Sequence, residues 1–562
     1  AEAAVPTDAV SRRRFLQLMG ASVAMAGVVG CRWPEEKIVP FTSRPEGVDP
    51  GIPRGFATAM ELAGEMRPLV VTSYDGRPIK VEGNADHPLS LGATDHFAQA
   101  LVLELFDPDR SRHAVERHGG TEHKRSWNDF ETYAAEHFGA LRASGGTGLA
   151  FLVERSSSPT RAAMQDRVRE VFPQAGWFEW EPLTRDNERS GAAQAFGHAV
   201  ATNYRLGEAK VVACFDADLF QDHPTALRNA REYTAARRVE DGRMNRLYVV
   251  EAGYSITGGM ADHRFPTASS AIGTTLLQLA AELTTKQGLD LPGDFGGMKE
   301  ALGHAGHAPA WIPALARDLM HHRGASVIAV GSRQPDWVHT LAHLLNRALG
   351  NTGRTVVHVD LSDRNRPHHA AAMGFLADSV GRGSVNTLVV LGGNPVFDGP
   401  ADTDMAGLFA KIEHTIHLSD FVNETSKACA WHLPRAHTLE SWSDVRDAEG
   451  RYSVVQPLIR PLYEGRTPIE LLALLLEGSP AAGHVLVRST ADGMLPVLDR
   501  ETAWLKLLQS GVLTGSESVE VVPTLEGRGI VAGVRRGAAA HAPELGENNL
   551  EIIFQRDPSL YD

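Results

Sequence analysis

The chain holds only three cysteines in 562 residues, Cys31, Cys214 and Cys429, each far from the next. Such singletons exclude a disulfide framework, a cysteine-based zinc site and a four-iron cluster, which needs about four thiolates in close spacing. Long hydrophobic runs are also lacking, since no stretch reaches the roughly 18 apolar residues of a membrane span. There is no basic excess: 55 Lys and Arg face 69 Asp and Glu, for a formal net charge of −14. A nucleic-acid partner, which needs a basic face, is excluded on that balance. No G-x-S-x-G elbow, Walker loop or short-period repeat occurs.

What is present describes an ordinary globular chain. Hydrophobic residues make up 43% and charged residues 22%, and the mean hydropathy is −0.19. At about 150 residues per domain the length predicts three or four domains.

Residues 1–31 read as an export segment. Ser11-Arg12-Arg13-Arg14-Phe15-Leu16-Gln17 matches the twin-arginine signal pattern, and a short apolar stretch follows it. That stretch is too short and too rich in small residues for an anchoring helix. It ends at Val28-Val29-Gly30-Cys31, which fits a lipoprotein cleavage box, and acyl chains on Cys31 would anchor the protein to a membrane. The alternative is an amphipathic helix over 12–30 with Cys31 as a buried thiol.

From residue 32 the chain is rich in Pro and Gly through Met66 and is expected to run as an extended arm. The turn Asp75-Gly76 joins two strands, and a helix follows to Leu105. Ser126 is positioned to cap a helix bearing Trp127, Phe130, Tyr133 and Phe138 on one face. After the Gly-rich linker at 144–148, apolar runs alternate with helical patterns: Gly148–Val153, Lys210–Phe215, Leu247–Glu251, Ala325–Gly331, Thr355–Val359, Thr387–Leu391 and Thr415–Ser419. This is the rhythm of parallel α/β sheets. The expected domains are 32–146, 147–323, 324–478 and a partial β-rich piece at 479–562, where ESVEVVP and NLEIIF supply strands.

The stretch Asp75 to Gln99, DGRPIKVEGNADHPLSLGATDHFAQ, resembles the N-terminal domain of the molybdopterin oxidoreductase family, to which dimethyl sulfoxide reductases, formate dehydrogenases and polysulfide reductases belong. Phe106-Asp107-Pro108-Asp109-Arg110, the strand-end loop Gly392-Gly393-Asn394-Pro395 and the block LESWSDVRDAEG at 439–450 extend the resemblance from about Phe41 to Leu475. It implies an α/β fold: a small β-containing N-terminal domain, then two parallel-sheet domains that hold a bis-pterin guanine dinucleotide at strand ends. Gly392 to Pro395 is either such a nucleotide loop or simply a tight turn.

The chain departs from that pattern where chemistry is carried. The position of the last cluster cysteine is Asp95. The second nucleotide loop reads Asp216-Ala217-Asp218, whose carboxylates would repel a diphosphate. The stretch Phe178 to Gly197 offers no Cys or Ser as metal ligand, and its Glu181 and Asp186 read as surface or loop carboxylates. Trp442, Asp444, Arg446 and Arg451 read as a structural crossing, as does the loop Thr257 to Arg264. His321-His322 and His368-His369 lack metal-ligand spacing and read as surface.

Within the family, the resemblance is to the molybdopterin-like half of the iron–sulfur subunit of alternative complex III, a bacterial quinol oxidase. It implies a non-catalytic chain with no cofactor and no metal of its own, at the outer face of the bacterial cytoplasmic membrane. Expected partners are a ferredoxin-like iron–sulfur domain after Asp562 or in a separate subunit, multihaem cytochrome c subunits and an integral membrane quinol-binding subunit. The alternative is an active exported molybdenum bis-pterin oxidoreductase.

Overall fold

The computed structural model describes residues 51–556 apart from 239, 241, 243, 294–296, 304, 362, 364–365 and 540–542. Arg12, Arg13 and Cys31, with the start of the expected arm, lie outside the described residues. Everything below belongs to the compact unit Pro53–Asp562.

A small antiparallel sheet comes first, built from Arg54–Leu62, Glu65–Tyr74 and Arg77–Gly83. Its first strand lies in the segment expected as arm. The turn at Asp75-Gly76 uses positive φ at both residues, 48° and 82°, as a two-residue hairpin with Gly at its second position requires. Met60, Leu69, Val71 and Val81 bury one face of this sheet against Leu101 and Leu105 of the helix His96–Leu105.

A seven-stranded sheet follows. Five strands are parallel, in the spatial order Trp431–Pro434, His414–Ser419, Thr387–Leu391, Leu149–Val153, Gly176–Glu179. The hairpin Ala114–His118 and Thr121–Arg125 adds an antiparallel edge. Leu149–Val153 and Thr387–Leu391 are buried at every position, as strands covered by helices on both faces must be. The helix Trp127–Ala143 starts at Ser126 with a capping box to Asp129, and its Trp127, Phe130 and Phe138 join the core on one face.

A second parallel sheet has four strands in the order His263–Pro266, Arg246–Glu251, Val211–Phe215, Ser326–Val330. Helices Ser269–Thr285, Ile312–His321, Asp336–Ala348 and Gly527–Ala539 supply apolar side chains to its core. Each large side chain so buried contributes about 1.5–3 kcal/mol.

Strand pairing does not follow the sequential partition expected at 146/147 and 323/324. Ser326–Val330 pairs with Val211–Phe215, and Thr387–Leu391 pairs with Leu149–Val153. The chain leaves the seven-stranded sheet, builds the four-stranded one and returns. Val356–Asp360 lies in neither parallel sheet; it pairs antiparallel with Val200–Tyr204 and with Glu520–Val521.

The described part of 479–562 is built on helices rather than strands. Helices Gly483–Asp492, Arg500–Ser510 and Gly527–Ala539 dominate it. Leu486, Val487, Trp504 and Leu507 recur at helical spacing and are buried, so the 3.6-residue pattern outweighs the local β-branched runs. ESVEVVP keeps only Glu520–Val521 as strand, and NLEIIF forms none.

Candidate functional site: the strand-end crevices

Open parallel sheets bind ligands outside the carboxyl ends of their strands, at the point where strand order reverses. The seven-stranded sheet reverses between Leu149–Val153 and Thr387–Leu391, and the four-stranded sheet between Val211–Phe215 and Ser326–Val330. Both crevices are closed by an arginine–carboxylate pair.

In the four-stranded sheet, Asp216 leaves its strand at φ 56°, a left-handed conformation that Asp tolerates better than most residues. Its carboxylate accepts from Arg333 Nη2 at 3.0 Å and from Gln334 Nε2 at 3.0 Å. The carboxylate side chain is 1% exposed. Asp218 accepts from the Thr257 hydroxyl at 2.7 Å and from the Thr257 and Ile256 amides at 3.2 and 3.3 Å. The two carboxylates expected to repel a diphosphate are therefore themselves bound, and Asp218 holds backbone amides that a phosphate would need.

In the seven-stranded sheet, Arg435 donates to Glu154 at 2.7 Å beside Gly392. Gly392 and Gly393 have φ of 76° and 67°, and a Cβ on Gly392 would meet the Glu154 carboxylate at 2.4 Å. Asn394 is engaged within the chain: its amide donates to Glu424 at 2.7 Å, and its Oδ1 accepts from the Thr425 amide at 3.1 Å and hydroxyl at 2.8 Å. Pro395 starts the short helix Pro395–Asp398. The loop is tied to the segment Glu424–Ala428.

More charge is packed around this crevice. Asp420 is raised to about 6 by burial against the opposing pull of Arg435. Glu181 is pushed up to about 8 by burial, with the Glu154 charge adding to it; it accepts from the Arg155 amide at 2.9 Å. Glu181 and Asp186 are thus buried rather than surface carboxylates. Asp186 is held by Arg366 at 2.7 Å and by the His369 amide at 2.7 Å. Burial opposes its ionisation most strongly, but Arg366 and the His369 amide and ring together outweigh it and hold the carboxyl below the usual range. His369 is buried as well, contrary to the surface reading, whereas His368 and His321 are exposed and His322 is half-buried.

Asp95, at the position of the expected cluster cysteine, caps the helix His96–Leu105. Its Oδ1 accepts from the Ala98 amide at 2.9 Å, and its Oδ2 accepts from Arg67 Nε at 2.6 Å. Both residues line a cavity of about 270 Å³ that also meets Thr94, Phe97, His223 and Ile256. Among the described residues no thiol lines this cavity, and without one these side chains do not fit a four-iron cluster. Cys214 is buried in its strand, and burial, then Asp218 and Glu251, push its thiol far up. Cys429 is buried too, and its thiol is pushed up to about 12. Among the described residues no group of three or more His, Cys, Asp or Glu is arranged to hold a metal ion.

The crossing residues act structurally. Asp444 is fully buried and accepts from the Thr160 hydroxyl at 2.6 Å, the Thr160 amide at 3.1 Å and the Tyr452 hydroxyl at 3.1 Å. Trp442 stacks on Trp504, with centroids 6.1 Å apart. Arg446 donates to the Ser516 carbonyl at 3.2 Å, and Arg451 pairs with Asp447 at 3.1 Å. Arg264, at the end of the other loop, pairs with Glu251.

Sequence reasoning missed Arg67, Glu154, Arg333 and Arg435. A signal existed for two of them: Glu154 and Arg435 each follow directly on a wholly buried strand.

No family model matches the chain. A curated relative is the menaquinone reductase, molybdopterin-binding-like subunit, of Nitratidesulfovibrio vulgaris strain Hildenborough. It is 23% identical over 506 residues, covering 83% of this chain and 72% of the relative. Among solved structures, acetylene hydratase from Pelobacter acetylenicus superposes with a TM-score of 0.57. There the identity is 12%, over 75% of this chain and 69% of that one. The fold is molybdopterin oxidoreductase-like. At the two strand-end crevices and in the Asp95 loop the charged side chains are paired within the chain. Among the described residues no helix is long and apolar enough to cross a membrane.

Proposed function

We propose that this chain is a non-catalytic, cofactor-free scaffold of a membrane-bound respiratory quinol:electron-acceptor oxidoreductase of the alternative complex III type. It would pack against an iron–sulfur domain or subunit, multihaem cytochrome c subunits and an integral membrane quinol-binding subunit on the outer face of the membrane. The observation that carries the reading is the pairing of Asp216 with Arg333 and of Glu154 with Arg435 at the two switch points. A bis-pterin dinucleotide does not fit those crevices, because its phosphates would have to displace the buried Asp216 and the half-buried Asp218 and Glu154 from their own cations and amides. The name of the curated relative, a subunit of a menaquinone reductase, supports membership of a quinone-linked complex. The Gly392-Gly393-Asn394-Pro395 loop favours the second reading, an active exported molybdenum bis-pterin oxidoreductase, but its asparagine is committed to Glu424 and Thr425.

The test is purification of the tagged full-length chain from membranes of its native host. The scaffold reading expects iron–sulfur and haem c polypeptides in stoichiometric amount, with quinol-oxidising activity in the same fraction. A chain that isolates alone, without haem c, contradicts it.

A further inference from the structure

The four-stranded sheet has a second occupant at its carboxyl ends, supplied by the chain itself. The segment Asn549 to Arg556 is separated from that sheet by more than 200 residues of sequence, yet crosses the exits of three of its strands. Glu551 accepts from the Ser269 amide at 2.6 Å and the Ser270 amide at 2.9 Å. These are the first two amides of the 17-residue helix Ser269–Thr285, which follows the strand His263–Pro266. A Cβ on Gly253, just past Arg246–Glu251, would meet Ile553 Cδ1 at 3.6 Å and Gln555 Oε1 at 3.5 Å. Gln555 accepts from Arg333 at 3.4 Å, beyond the strand Ser326–Val330, on the arginine that also holds Asp216. Arg556 then reaches Glu65 of the small sheet at 3.6 Å.

Alternation over 550–554 agrees with this seating. Side chains of an extended chain point alternately to opposite sides. Glu551 and Ile553 are half-buried, whereas Leu550, Ile552 and Phe554 are 79, 77 and 75% exposed. The first amides of a helix attract an anion, and here a carboxylate from a remote part of the chain meets them. Burial opposes its charge, yet the Ser270 and Ser269 hydrogen bonds hold it below the ordinary range.

We propose that Asn549 to Arg556 is a built-in strap that fills the carboxyl-end crevice of the four-stranded sheet, with Glu551 taking the anion position at the head of the helix Ser269–Thr285. The crevice is thus a peptide site whose ligand is a strap of the chain itself, with Glu551 as its one carboxylate. The inference goes beyond the scaffold reading and rests on contacts within the chain alone.

Hydrogen exchange on the full chain tests it. In Glu551→Ala the Ser269 and Ser270 amides lose charge-assisted bonds and are expected to exchange about tenfold to a hundredfold faster. Ile553→Asp touches neither serine, but by lifting the strap it is expected to speed the same two amides. Ile552→Asp, on the outward side, is expected to leave them unchanged. Val211–Phe215 amides report that each variant remains folded. Unchanged Ser269 and Ser270 exchange in both inward variants overturns the strap, as does an equal effect of Ile552→Asp and Ile553→Asp. The readout does not depend on assembly into a respiratory complex, so it succeeds or fails apart from the purification test.

Discussion

Arg333 donates to Asp216 across 3.0 Å and so ties together the ends of the two strands that flank the switch point of the four-stranded sheet. The carboxylate is nearly inaccessible, while the guanidinium is 31% exposed. Removing the cation alone strands a buried charge, which Gln334 only partly compensates. Arg333→Met is expected to cost about 1–3 kcal/mol, below the range for fully buried pairs because the arginine meets solvent. Adding Asp216→Asn is expected to recover most of that loss. Urea unfolding of the two single variants and the double variant measures the coupling; strict additivity would mean that the pair does not act as a unit.

The Asp95 position gives a second prediction. Asp95→Cys is expected to bind no four-iron cluster, since among the described residues no other thiol lines the cavity; a four-iron spectrum after reconstitution would refute it. Asp95→Ala removes both the helix cap and the Arg67 partner and is expected to lower stability by about 1–2 kcal/mol. Asp95→Asn keeps the cap and is expected to lose less than half of that. Thermal unfolding of the three proteins ranks them.

Glu181 sets a pH dependence. Its folded value of about 8 lies above the ordinary carboxylate value near ~4.3. A raised value means that its contribution to stability is whole below the ordinary value and is lost as pH rises through about 8. Glu181→Gln cannot ionise and keeps an oxygen for the Arg155 amide. Its unfolding midpoint is expected to match the parent near about pH 4.5 and to exceed it above about pH 8. Equal slopes in the two proteins over that window would show that Glu181 ionises normally when folded.

Gly392 makes a steric prediction. At φ 76° with Glu154 and Arg435 against its α-carbon, Gly392→Ala combines left-handed strain with a clash. A loss of about 1–3 kcal/mol is expected. Gly383→Ala, also at positive φ but with open space around it, is expected to cost only the conformational share, about 1 kcal/mol. Urea midpoints compare the two.

Six of the nine parallel strands of the two sheets were legible because their runs, such as Val211–Phe215 and Thr387–Leu391, are apolar and flanked by turn residues, whereas Gly176–Glu179, His263–Pro266 and Trp431–Pro434, at 4 residues each, were too short to stand out. Asp95 was legible as a departure, and its capping role could have been read from its place just before the helix. The closing pairs were not legible: Asp216 and Arg333 lie 117 positions apart and meet only because their strands pair. The discontinuous sheets escaped for the same reason, since periodicity identifies a strand but not its neighbour. In 479–562, Val519 and Val522 imitate strand residues yet are exposed and unpaired, and the helical spacing of Leu486, Val487, Trp504 and Leu507 held the better signal.

Metal content tests the central claim most directly. The purified protein, analysed by elemental mass spectrometry, is expected to carry no stoichiometric molybdenum or tungsten. One molybdenum or tungsten per chain would contradict the account, because it would require a pterin dinucleotide in crevices here assigned to Asp216–Arg333 and Glu154–Arg435.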